Sequence, residues 1–103
     1  ELADGIHGGA VETSMMLHLH PEKVRRALLA DFPSRYRDLA ATHPLVRQTG
    51  FAWMTQDLNA SGAIGNAALA DTEKGRRIVE HAAERLAALL AEIDTLPADL
   101  LKQ

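Results

Sequence analysis

Gly5-Ile6-His7-Gly8-Gly9-Ala10-Val11-Glu12-Thr13-Ser14 sets how the rest of the chain is read. A histidine stands beside two glycines, and a glutamate follows five positions after it. The glycines free the backbone to turn tightly or to approach a ligand closely. After them the sequence changes to Val-Glu-Thr-Ser-Met-Met-Leu, the opening turns of a helix. His7 is therefore expected on a loop and Glu12 in the first turn of the helix that leaves it. Free N–H groups at a helix start favour a negative charge there. A loop and a first helical turn together can present two polar groups to one pocket.

The pattern predicts that helix over residues 11 to about 19. Val11, Met15 and Leu19 recur four apart on one face, with Glu12 and Met16 on the neighbouring stripe. Met15 and Met16 read as core. Gly9 or Ala10 falls near the N-cap without the usual capping side chain. Pro21 is expected to stop the helix at about His20. Residues 22–30 predict a short second helix through Val24, Leu28 and Leu29, broken at Phe32-Pro33-Ser34. Residues 34–42 predict another helical piece, ended by His43-Pro44. Residues 1–6 read as the end of a strand or a loop.

Residues 50–58 are the best strand candidate, with Phe51, Trp53 and Thr55 alternating with Ala52 and Met54. A loop rich in Gly, Asn and Ser follows over residues 59–66. The strongest helix runs from an N-cap at Asp71 to about Ile93. Ile78, Val79, Ala82, Leu86, Leu89, Leu90 and Ile93 form one apolar stripe. Gly75, inside its first turns, costs about 1 kcal/mol relative to alanine. Close packing against another backbone would explain it.

One or two strands cannot make a sheet that buries its own faces, yet the long helix has a stripe wide enough to need a sheet beneath it. The expected fold class is α/β, helix-rich with few strands, the remaining strands lying on another segment or chain. Residues 1–103 then form a single partial domain. The first residue is Glu1 rather than Met, which fits a truncated or processed product. On its own the chain is expected to be poorly folded or associated.

Composition narrows the function classes. The chain is 47% hydrophobic and 24% charged, the balance of one globular domain at most. Its net charge is −3, with basic residues interleaved among acidic ones, so nucleic-acid binding has little electrostatic support. No apolar run approaches the roughly 18–20 residues of a membrane helix, and no signal peptide is visible. Cysteine is absent, which excludes disulfides and thiolate catalysis and fits a cytoplasmic location.

The candidate functional residues each have a plainer reading. His7 suits general acid/base work, because a histidine titrates near neutrality; otherwise it is a surface-loop residue. Glu12 suits metal ligation or acid/base work; otherwise it only complements the helix dipole. Thr13 and Ser14 suit packing and helix-start hydrogen bonding better than nucleophilic attack. His18 and His20, two apart on a helix, point to different faces and do not share a metal. His43 and His81 have no companion. Trp53 lines a pocket or belongs to the core. Asp57 and Asn59 follow the candidate strand, where α/β sheets tend to bind ligands.

The run His7-Gly8-Gly9-Ala10-Val11-Glu12-Thr13-Ser14-Met15-Met16-Leu17 resembles the His-x-Gly-x-x-Glu-Thr-Ser-x-Met-Leu signature of the creatinine amidohydrolase (creatininase) family. The likeness continues at Leu19-His20-Pro21-Glu22-Lys23-Val24, at Gly62-Ala63-Ile64-Gly65-Asn66 and at Ala70-Asp71-Thr72-Glu73-Lys74-Gly75. It covers most of this chain, but only the C-terminal part of a family domain. The resemblance implies the C-terminal portion of a three-layer α/β/α domain. It also implies hydrolysis of a non-peptide C–N bond, in a cyclic amide or formamide, with two divalent metal ions (zinc, manganese or iron). By it His7 is the catalytic residue that handles protons, and Glu12 faces the metal centre as a ligand or just behind one. Asp4, Gly8 and Trp53 are the candidate substrate-binding residues.

Most of the family's metal ligands come from Glu-x-His, Asp and Asn-Gly-His motifs in the N-terminal half. These motifs are missing here, so the chain alone is expected to be inactive. Ala3 stands where creatininase proper has a tryptophan that closes over the site, so another amide or formamide is as good a substrate as creatinine. The implied partners are the missing N-terminal half of the domain and further copies in a homo-oligomer. The reading from a different class is a non-catalytic α/β interaction or assembly module that keeps the family's packing motifs. An upstream segment with Glu-x-His and Asn-Gly-His would separate the two.

Overall fold

The glycine pair opens the first helix, α1 (Ala10–Leu19), with Gly9 as an extended N-cap that offers no side-chain bond. The helix ends where Pro21 requires it: the His20 N–H donates to the Met16 carbonyl at 2.8 Å and the chain leaves helical geometry. These positions come from a computed structural model that describes residues 5–45, 50 and 52–100.

The buried side of α1 is Ala10, Ser14 and Leu17, not the expected Val11–Met15–Leu19 face. Leu19 is exposed and Met16, read as core, is 37% exposed. Almost every face of this helix carries apolar groups, so hydrophobicity alone does not select one. The small side chains of Ala10 and Ser14 select it, because they allow another helix to come close.

Residues 22–30 do not form the expected helix. They make two 3₁₀ turns, Pro21–Lys23 and Arg26–Leu28, separated by extended Val24. Neither turn has a buried residue, so nothing repays the cost of nucleating a longer helix. β1 (Asp31–Phe32) and α2 (Tyr36–Thr42) follow, the latter started by Ser34 Oγ accepting the Tyr36 N–H at 3.1 Å.

The expected strand over residues 50–58 is replaced at its end by a helical turn, α3 (Thr55–Leu58). Phe51 lies outside the described residues. The Asp57 carboxylate accepts the Met54 N–H at 2.8 Å and so caps this turn. Leu58 is fully buried, and its carbonyl accepts the Arg35 N–H at 3.1 Å. Local capping chemistry thus overrides the alternation that reads as a strand.

β2 (Gly65–Asn66) pairs antiparallel with β1, Asp31 opposite Asn66 and Phe32 opposite Gly65. Just before it, Ile64 makes an antiparallel bridge with His7. Residues 64–66 therefore thread between the His7 loop and β1. A 3₁₀ turn (Ala67–Leu69) leads to the long helix α4 (Thr72–Asp94). Asp71 is its N-cap as expected, its Oδ1 accepting the Lys74 N–H at 2.9 Å. Among the described residues the buried apolar side chains are Ala10, Leu17, Leu58, Ile64 and Ala67, and Ser14 is buried as well.

α4 packs its N-terminal turns on α1, and Gly75 lies directly against the α1 backbone. A Cβ there would overlap the Ser14 carbonyl and come within 3.0 Å of the Met15 nitrogen. The rest of the stripe stands clear: Leu86, Leu89, Leu90 and Ile93 are each more than half exposed. The sheet expected beneath it is not among the described residues. The radius of gyration, 18.5 Å, exceeds the roughly 13 Å of a compact domain of this length.

Candidate functional site

His7 is held by its backbone rather than by its ring. Its N–H donates to the Ile64 carbonyl at 3.0 Å, and its own carbonyl accepts the Ile64 N–H at 2.8 Å. Ile6 donates to the same Ile64 oxygen at 2.9 Å. Ile64 is fully buried, so the loop is fastened to the core while the His7 residue is exposed. Gly65 lets the loop come this close. Its φ is +138°, and a Cβ there would lie 2.8 Å from the Gly9 Cα and 3.1 Å from the Gly5 Cα.

The next joint is Gly8, at φ +69°. Its N–H donates to Glu12 Oε1 at 3.3 Å, and its carbonyl accepts the Thr13 hydroxyl at 3.3 Å. Glu12 thus reaches back from the first turn of α1, in the manner of a capping carboxylate. Both bonds are long and individually weak, but they grip the two ends of one residue. Ser14, the next residue, faces the other way: its hydroxyl accepts the Asp71 N–H at 2.9 Å. Thr13 and Ser14 therefore serve hydrogen bonding and packing, as their place at the helix start predicts.

A cleft of about 320 Å³ opens beside this joint. Gly8, Glu12 and Thr13 line it together with Met16, Val24 and Leu28, and Lys23 and Arg25 bring positive charge to it. A larger groove of about 850 Å³ runs along the α1–α4 contact, past Ala10, Val11, Ile78 and Ala82. His7 and Trp53 line neither. Trp53 is half-buried in the extended stretch before α3. Asp4 lies outside the described residues.

Other polar candidates have structural roles. Asp57 caps α3. Asn59 donates to the Pro33 carbonyl at 2.9 Å and accepts the Ser61 N–H at 3.0 Å, which fastens its loop. His20 Nδ1 lies 3.2 Å from the Glu22 carboxylate at the surface. Ile64 and Gly65, which anchor the loop, carry no chemical signature of a site. Their signal in the sequence was only the return of family likeness at Gly62–Asn66.

Among the described residues no three His, Asp or Glu side chains gather as a divalent metal ion requires. Glu12 is a single carboxylate whose Oε1 already accepts a backbone N–H. These residues do not by themselves fit a metal centre.

The creatinine amidohydrolase family pattern matches residues 1–90. The chain belongs to that family. Its fold is the creatininase-like α/β fold, here helix-rich with a small two-stranded sheet. It is similar to the crystal structure of a Bacteroides fragilis NCTC 9343 protein whose name assigns it provisionally to the creatinine amidohydrolases. The TM-score is 0.75 and the identity 31%, over 92% of this chain and 37% of that one. The chain thus spans little more than a third of the length of that protein. No curated protein matches significantly. No helix of the described residues is long and apolar enough to cross a membrane.

Proposed function

We propose that the complete protein is an amidohydrolase that cleaves a non-peptide C–N bond in a cyclic amide or formamide. This chain contributes its His7–Glu12 loop. The observation that carries the reading is the construction of that loop in a family chain: an exposed histidine on a backbone fastened to buried Ile64, with Glu12 lining the adjoining cleft.

Hydrolysis adds water to the carbonyl carbon and then breaks the C–N bond, and the departing nitrogen must gain a proton. His7 is the group on this chain suited to supply it, because imidazole gives and takes protons near neutral pH. The Gly8 corner lets the substrate come close to the backbone, and Trp53 and Asp4 are the further candidates for substrate contact.

Family members generally use divalent metal ions. In this reading zinc, manganese or iron is held mainly by another part of the complete protein, with Glu12 the nearest carboxylate of this chain. The same remainder covers the exposed stripe of α4, and the complete protein self-associates.

The test is to assay the complete protein, metal-loaded and chelated, against creatinine, hydantoins and N-formyl compounds. Chelator-sensitive hydrolysis of at least one is expected. Failure of the loaded protein on every member of the panel would contradict the proposal.

A further inference from the structure

We infer that Thr13 is a positioning residue for His7, acting through the Gly8 carbonyl. The inference rests on the proposed role of His7 and adds a residue to it. Three features meet at one corner. Ile64 fixes the His7 peptide on both sides, at 3.0 and 2.8 Å. Gly8 follows in a left-handed conformation, φ +69°, where the chain could pivot. The Gly8 N–H and carbonyl are then held by Glu12 and Thr13, each at 3.3 Å.

Without those two bonds the Gly8 peptides could swing about the glycine, and the His7 side chain would lose its bearing relative to α1. Positioned groups tolerate little error: a misplacement of about 1 Å can slow a reaction about 100-fold. Glu12 grips the same corner, but it is also a candidate for chemistry, so its loss would be ambiguous. Thr13 is not a candidate for proton transfer or metal ligation, and its hydroxyl donates to the Gly8 carbonyl at 3.3 Å. Valine matches its shape without the hydroxyl, while serine keeps the hydroxyl without the methyl.

The complete protein would be compared as parent, Thr13→Val, Thr13→Ser and His7→Ala on a panel substrate. Thr13→Val is expected to lower kcat by about 10-fold to 100-fold, with KM unchanged, and Thr13→Ser to restore it. Exchange of the Gly8 amide with solvent should be faster in Thr13→Val than in Thr13→Ser, a readout that needs no turnover. Thr13→Ala is a second hydroxyl-free variant should valine disturb folding. Parental kcat and parental Gly8 exchange in a folded hydroxyl-free variant would overturn the inference. So would a Thr13→Ser variant as slow as Thr13→Val, which would move the effect to the methyl. A slow His7→Ala beside a normal Thr13→Val would overturn the Thr13 role alone; a His7→Ala at the parental rate would overturn the role of His7 and this inference with it.

Discussion

Gly75 of α4 lies against the Ser14 carbonyl of α1 so closely that no side chain fits between them. The same Ser14 accepts the Asp71 N–H through its hydroxyl at 2.9 Å. One residue of the signature stretch therefore receives both the cap and the first turn of the long helix. In an open helix Gly→Ala would stabilise by about 1 kcal/mol. Here Gly75→Ala should instead destabilise the complete protein by about 1–3 kcal/mol, because the added methyl meets backbone that cannot move aside cheaply. Denaturant melts of the two proteins decide the sign.

Ser14→Ala tests the other half of that joint. It leaves the Asp71 N–H without its partner in a half-buried place, which should cost about 1–3 kcal/mol. Asp71→Ala removes the cap from Lys74 and should cost about 0.5–2 kcal/mol. Both residues serve one helix start, so a double-mutant cycle should show non-additive losses.

Much of this architecture was legible from local signals. Asp71 before a long apolar stripe marked the α4 start, Pro21 marked the α1 end, and a glycine in a helix start marked a close contact. The strand expected over residues 50–58 was wrong because alternation does not sense the Asp57 cap that turns Thr55–Leu58 into a helix. The buried face of α1 was misplaced because small residues, not the largest apolar ones, meet α4. For the site, the placement of His7 just before the helix and of Glu12 in its first turn was readable, but His7 does not line the cleft that Glu12 lines. The anchoring of the His7 loop by Ile64 and Gly65, more than fifty residues along the chain, was not readable, since pairing across such a distance leaves no local pattern.

The exposed stripe of α4 carries its own expectation. Leu86 is 56% exposed in this chain, so Leu86→Ala should matter little to the chain by itself. In the complete protein it should cost about 2–5 kcal/mol once the rest of the domain covers it. Equal, small losses in both would mean that the face stays bare.

Acid should loosen the α4 start slightly. The hydrogen bond from Arg76 holds the Glu73 carboxyl below its usual range, and Arg76 also pairs with Glu80. A carboxyl lowered in the folded state contributes its stability above its unfolded pKa. That contribution fades as pH falls through the lowered value. The Arg76 and Glu73 side chains remain 43% and 61% exposed, so the effect should be small and reduced by salt. Melts of the parent and Arg76→Gln across acidic pH should converge as the carboxyls protonate.

The central claim is that His7 moves protons in the reaction, and the most direct measurement is turnover of His7→Ala in the complete, metal-loaded protein. The account predicts intact metal content, by elemental analysis, with kcat lower by about 10²–10⁴-fold. Glu12→Gln should differ, losing metal if Glu12 is a ligand and turnover alone if it is not. A His7→Ala protein that hydrolyses its substrate at the parental rate would contradict the account and leave the His7–Glu12 stretch as a structural turn.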